Sequence, residues 1–149
     1  MEVKNNMAVP EEVCFEIGDL SIHGLAMGKE DAPILLCLHG WLDNSASFLP
    51  TFPYLNSHRV IAIDWLGHGF SSHRSDDAHY HFIDWVYDLL QLFEANQWHN
   101  IDIVGHSMGG MVASAFSAAF PERVKSLTLL DSIGFLSLSS QESTEQLRS

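Results

Sequence analysis

Positive charge is scarce in this chain. Its 149 residues carry 7 Lys and Arg against 19 Asp and Glu, a formal net charge of −12 with histidine neutral. Nucleic acid and anionic membrane surfaces are held by clustered cations, so neither is the expected partner. Cysteine is scarcer still. Cys14 and Cys37 stand alone, without the spacing of a metal site or a disulfide framework. Cys37 lies inside ILLCL and is expected as a buried thiol. Long apolar runs are absent too: none approaches the roughly 18 residues needed to span a bilayer. The opening MEVKNNMAVPEE has no apolar stretch of the kind a secretory signal carries. A reduced, cytoplasmic protein is the expectation.

What the chain does have is an ordinary hydrophobic fraction, 46%, enough at this length for one core. No internal repeat or low-complexity segment divides it, so residues 1–149 read as a single partial domain with a core over 12–135, and 136–149 as a polar tail or the start of a missing cap region. EVCFEI, Gly18-Asp19 and LSIHGLAM alternate loosely around a tight turn and predict a β-hairpin. PILLCLH (33–39), VIAID (60–64), IDIVG (101–105) and SLTLLD (126–131) are short apolar runs of the kind expected for strands covered on both faces. Between them fall a predicted short helix within 41–55 and a polar loop at 65–80. An amphipathic helix follows at 82–97, with Phe82, Val86, Leu89, Leu90 and Phe93 on one face. Another is expected over about 108–119, stopped by Pro121. Strands alternating with helices predict an α/β fold, a mostly parallel sheet with helices on both faces.

Chemistry concentrates at Gly105-His106-Ser107-Met108-Gly109, a G-x-S-x-G pattern with a predicted strand before it and a helix after it. A serine on so sharp a turn needs very small neighbours two residues away on each side, because the flanking backbones must approach closely. Its oxygen then projects at the C-terminal end of the strand, where the following helix directs free amides and a positive dipole end. Ser107 is therefore the candidate nucleophile. An oxyanion formed there needs two N–H donors: Met108 follows the serine, and Trp41 follows His39-Gly40 in the loop after the first central strand. Gly40 lets that loop bend inward, and His39 is read as holding it.

HGWLDNSASF, DWLGHGFSS, GHSMGG and FPERVKSLTLLD occur in that order. Together they resemble the N-terminal half of the α/β-hydrolase superfamily, with wording closest to its serine hydrolase-like proteins, over about residues 12–135. The resemblance implies a Ser–acid–His triad, an acyl-enzyme, a small ester-like substrate and no cofactor. It assigns Gly105, His106 and Gly109 to the scaffold of the serine turn, and Asp64 and His68 to structural roles.

The implied triad is incomplete. The nine histidines, at 23, 39, 58, 68, 73, 79, 81, 99 and 106, all precede Ser107, whereas the family order is serine, acid, histidine. Asp131 is a candidate acid or simply the end of a strand. His73, His79 and His81 lie in or beside the polar loop and are the upstream candidates to approach. His79-x-His81 with Asp76 and Asp77 matches no zinc spacing, so no metal is expected. GHG at 67–69 lacks the third glycine of a dinucleotide fingerprint. Two readings stand: a serine hydrolase whose acid and histidine lie outside this chain, or a hydrolase-like fragment or binding module that is inactive alone. The fold is expected to break off after the strand at 126–131. That would leave an apolar edge, open to self-association or a complementing chain.

Overall fold

A computed structural model describes residues 9–132. The hairpin forms as β1 (Glu11–Ile17) and β2 (Leu20–Met27), paired antiparallel around Gly18, whose φ of +62° suits so tight a turn. Then come β3 (Ile34–Leu38), a 3-10 helix (Ser45–Tyr54), β4 (Arg59–Ile63), α1 (Phe82–Ala95), β5 (Ile101–His106), α2 (Met108–Ala119) and β6 (Val124–Leu130). The sheet order is β1-β2-β4-β3-β5-β6. Strands β4, β3, β5 and β6 run parallel, and β2 joins them antiparallel through β4. The expected mostly parallel α/β sheet is what forms.

Alternation along the strands divides the core in two. Leu36, Leu38, Ile61, Ile63 and Ile103 face α1 and α2, where they meet Leu89, Leu92, Phe93, Val112 and Phe116. Leu35, Cys37, Val60 and Ala62 face the 3-10 helix, where Phe48 and Phe52 cover them. Burying a side chain of this size stabilises by about 1.5–3 kcal/mol, so the two layers hold the sheet between them. Cys37 is buried in the smaller layer, as its run implied.

Strand ends shift by one or two residues from the sequence reading, and three features have a clear local cause. The predicted short helix is 3-10, because Pro50 and Pro53 lie inside it and neither can donate to an α-helical ladder. The helix expected to residue 97 ends at Ala95. Asn96 caps it through its side-chain amide to Leu92 O (2.9 Å), and Gln97 turns to φ +53°. The last strand ends at Leu130, so Asp131 lies beyond it, also left-handed at φ +50°. The polar stretch at 136–149 lies outside the described residues. Among those residues no helix is long and apolar enough to cross a membrane.

Candidate active site

Ser107 occupies the junction of β5 and α2 with φ +51° and ψ −118°. A non-glycine residue held there costs on the order of 1–3 kcal/mol, so its surroundings must impose the conformation. Two glycines let the backbones close up. A Cβ on Gly105 would lie 2.5 Å from Gly110 Cα, and one on Gly109 would lie 2.3 Å from Leu38 O on β3. Hydrogen bonds fix the rest. Ser107 N–H donates to Leu130 O (3.1 Å), while Ser107 O accepts from Gly110 N–H (3.0 Å) and Met111 N–H (3.2 Å). Ser132 Oγ donates to the same carbonyl at 2.8 Å. The Ser107 side chain is exposed and caps nothing.

The loop after β3 reaches the same place. A Cβ on Gly40 would sit 3.2 Å from Ser107 Cβ and 3.5 Å from His106 Nδ1, so this backbone packs directly against the serine turn. His39 is buried, and its two ring nitrogens are both committed. Trp65 N–H donates to Nε2 (3.1 Å), which leaves the proton on Nδ1 to donate to Gly40 O (2.6 Å). The Trp65 indole N–H closes the arrangement by donating to His39 O at 2.9 Å. Burial pulls the His39 pKa below its ordinary value, against the opposing pull of the Gly40 carbonyl. The neutral ring is the form that fits. Asp64 ties the same region to the next strand, accepting from Ser45 N–H (2.7 Å) and Phe70 N–H (3.1 Å).

The peptide between Gly40 and Trp41 is trans, so the Trp41 N–H points opposite to the carbonyl that His39 holds. Neither that N–H nor the Met108 N–H donates to another described residue. Among the described residues both amides are thus unbonded: that of Met108 follows Ser107 directly, and that of Trp41 follows Gly40, which packs against the serine turn.

No histidine is hydrogen-bonded to the Ser107 hydroxyl. His39 and His68 are spent on the loop, His58 pairs with Asp102 (3.1 Å), and His23 meets the Cys14 thiol (3.5 Å). His73, His79, His81 and His99 are exposed; His79 and His81 face each other with ring centroids 6.3 Å apart. His106 lies against Gly40. Asp131 is flanked by the two groups that hold the Ser107 backbone, Leu130 O and Ser132 Oγ, and is itself exposed. Ser132 went unnoticed in the sequence, since only the register of β6 against β5 brings it to the serine turn.

Trp41 lies edge-on to His68 and Trp85, with centroids 5.5 and 5.6 Å away, and its own ring is more than half exposed. A cavity of about 630 Å³ opens nearby between Glu12, His23, Asn44, Asp64 and Phe70, and Ser107 does not line it. Among the described residues no three His, Cys, Asp or Glu gather where they could hold a metal ion.

The sheet order, the serine turn and the glycine contacts define an α/β protein with a serine presented at a strand–helix junction. The chain belongs to the α/β-hydrolase fold family, whose model matches residues 33–148. It is similar to a serine hydrolase-like protein of the zebrafish Danio rerio, 49% identical over 77% of this chain and 36% of that protein. A serine hydrolase-like protein of Dictyostelium discoideum is 40% identical over 92% of this chain and 39% of its own length. A hypothetical protein from Pseudomonas aeruginosa of known structure superposes with a TM-score of 0.83 at 33% identity. That match covers 93% of this chain and 49% of the other. The chain thus spans less than half the length of these proteins.

Proposed function

We propose that Ser107 is the nucleophile of a serine hydrolase acting on a carboxylic ester or related acyl bond. The supporting observation is the strained serine, its hydroxyl and the nearby N–H groups of Trp41 and Met108 all unbonded among the described residues. In this reading Ser107 Oγ attacks the carbonyl carbon and its proton passes to a base. The carbonyl oxygen becomes an anion held by the two amides, and the leaving alcohol departs to give the acyl-enzyme. Water then attacks the ester to Ser107 and releases the acid. Preorganised amides of this kind each account for about 10²–10³ in rate in acyl-transfer enzymes.

The base comes from outside the residues described here, since all nine histidines are engaged or lie elsewhere. Asp131 is the acid this reading favours, because the end of β6 brackets the serine backbone. Its left-handed turn serves equally to end the strand. A second reading draws on the same unbonded hydroxyl: the chain by itself is a hydrolase-like unit with an unpowered serine. A second chain seated on the open β6 edge, where Leu129 and Leu130 are exposed, would then supply what is missing.

The test is hydrolysis of short p-nitrophenyl esters by the 149-residue chain with added imidazole as the base, compared with Ser107→Ala. Turnover above the imidazole background that vanishes in Ser107→Ala supports the nucleophile. Equal turnover in both proteins rejects it.

A further inference from the structure

Trp41 lies between two peptide groups, and the fixing of the first by His39 leaves the second unexplained. Leu42, on the far side of that second peptide, adopts φ +57° with its side chain four-fifths exposed. A bulky apolar residue in a left-handed conformation, with so little packing to hold it, does not keep its place by side-chain burial. The backbone is held by hydrogen bonds: the turn bond from Asp43 N–H to Gly40 O is long, at 3.4 Å, and a second, shorter contact comes from His68. Leu42 N–H donates to His68 Nε2 at 3.2 Å.

His68 is built to accept that bond. It is buried on the loop after β4, and its own backbone is tied in on both sides: its N–H donates to Trp65 O (2.9 Å) and its carbonyl accepts from Ser71 N–H (3.2 Å). Because Nε2 accepts from Leu42, the ring proton sits on Nδ1, which faces Leu66 O at 3.3 Å. Three aromatic rings enclose the imidazole, with centroids at 5.2 Å (His39), 5.5 Å (Trp41) and 6.2 Å (Trp85). Its position is therefore set by the scaffold and not by Leu42.

We propose that His68 is a positioning residue for the oxyanion site: by accepting the Leu42 N–H it fixes the peptide after Trp41, as His39 fixes the peptide before it, and the two together set the direction of the Trp41 N–H. The inference rests on the reading of Trp41 as an oxyanion donor. It adds that the donor's aim is set by the loop at 64–72, through a pair of imidazoles, and not by the Trp41 indole. Loss of His68 then releases the donor while leaving Ser107 and Met108 in place, so acylation slows and substrate binding does not weaken.

The decisive measurement is backbone amide exchange at Leu42 in the isotope-labelled 149-residue chain, with His68→Ala and His68→Gln beside it. Glutamine places an acceptor oxygen near the position of Nε2; alanine places none. In the starting protein the Leu42 amide is expected to exchange at least about tenfold more slowly than in a free peptide. His68→Ala should remove that protection, and His68→Gln should restore most of it. The imidazole spectrum should show Nδ1 protonated and Nε2 free at neutral pH. Leu42 protection unchanged in a folded His68→Ala chain overturns the proposal, as does a ring protonated at Nε2. In the imidazole-assisted ester assay, His68→Ala should lower the maximal rate by roughly tenfold or more at unchanged KM, the signature of an interaction made only in the transition state. Amide exchange reports the clamp whether or not Ser107 reacts, so failure of the nucleophile and failure of the clamp appear in separate experiments.

Discussion

The two flanks of Ser107 are built to different standards. On the β3 side the loop from His39 to Ser45 is pinned by two buried imidazoles and a carboxylate, and Trp41 leans on His68 and Trp85. On the β6 side the contacts reach only the Ser107 backbone: Leu130 O and Ser132 Oγ hold its peptide groups, while Asp131, Leu129 and Leu130 lie exposed. A transition state needs both flanks, one to stabilise negative charge and one to receive a proton. In the reading proposed above, this chain finishes the first and only begins the second. Its proposed oxyanion donors are backbone amides aimed by side-chain contacts within the chain, whereas a base needs a side chain delivered from elsewhere.

The largest effect should come from the shared hinge of the two flanks. Gly109→Ala would place a methyl 2.3 Å from Leu38 O and 2.5 Å from His39 O, both backbone atoms that cannot step aside. A loss of about 3 kcal/mol or outright failure to fold is expected, read by urea denaturation.

The β3 flank should also carry an acid sensitivity through His39. His39 is held below its ordinary pKa in the folded chain by burial, whereas the unfolded chain titrates it near the usual value of about 6.5. Below that pH the unfolded state binds a proton that the folded state refuses. The His39 contribution is therefore complete above about pH 6.5 and shrinks as pH falls, by at most about 1.4 kcal/mol per pH unit. Denaturation midpoints from pH 7.5 to 5 should fall in the starting chain and fall less in His39→Gln. Equal slopes would remove His39 as the acid-sensitive group.

Smaller effects belong to the β6 side. Ser132→Ala deletes one hydrogen bond to the Ser107 carbonyl and should cost about 1 kcal/mol or less. Asp131→Asn should leave stability within about 0.5 kcal/mol, since asparagine tolerates the left-handed turn and the site is exposed. A large loss on Asp131→Asn would mean that this flank is more fully built than its exposure suggests. Below both flanks, Cys37 is buried with its thiol pushed up to about 12, while Cys14 is exposed. Thiol titration of the folded chain should therefore find Cys14 reactive and Cys37 silent until denaturant is added.

Much of this was legible in the sequence, unevenly. The apolar runs at 33–39 and 60–64 announced buried parallel strands because both faces of each are covered, and G-x-S-x-G announced its turn because the glycines have no room for a Cβ. The loop after β3 was legible as His39-Gly40-Trp41, but the contacts that hold it were not. The pairings of His39 with Trp65 and of His68 with Leu42 each join positions 26 residues apart, and they exist only because β3 and β4 are neighbours that end at the same level. A reader told the strand order could have sought them in the two histidine-bearing loops, HG after β3 and GHG after β4. Ser132 gave no such signal. Its role depends on the β5–β6 register, which includes a bulge at Ile101 and Asp102. The short helix within 41–55 was legible, and its 3-10 form follows from Pro50 and Pro53.

The most direct test of a finished oxyanion side beside an unfinished base side is the intact mass of the folded chain after exposure to a fluorophosphonate, with and without imidazole. The account predicts negligible adduct without imidazole and one adduct per chain with it, absent in Ser107→Ala. Stoichiometric labelling without imidazole would mean that a base already reaches Ser107 within this chain, and the contrast between the two flanks would fall.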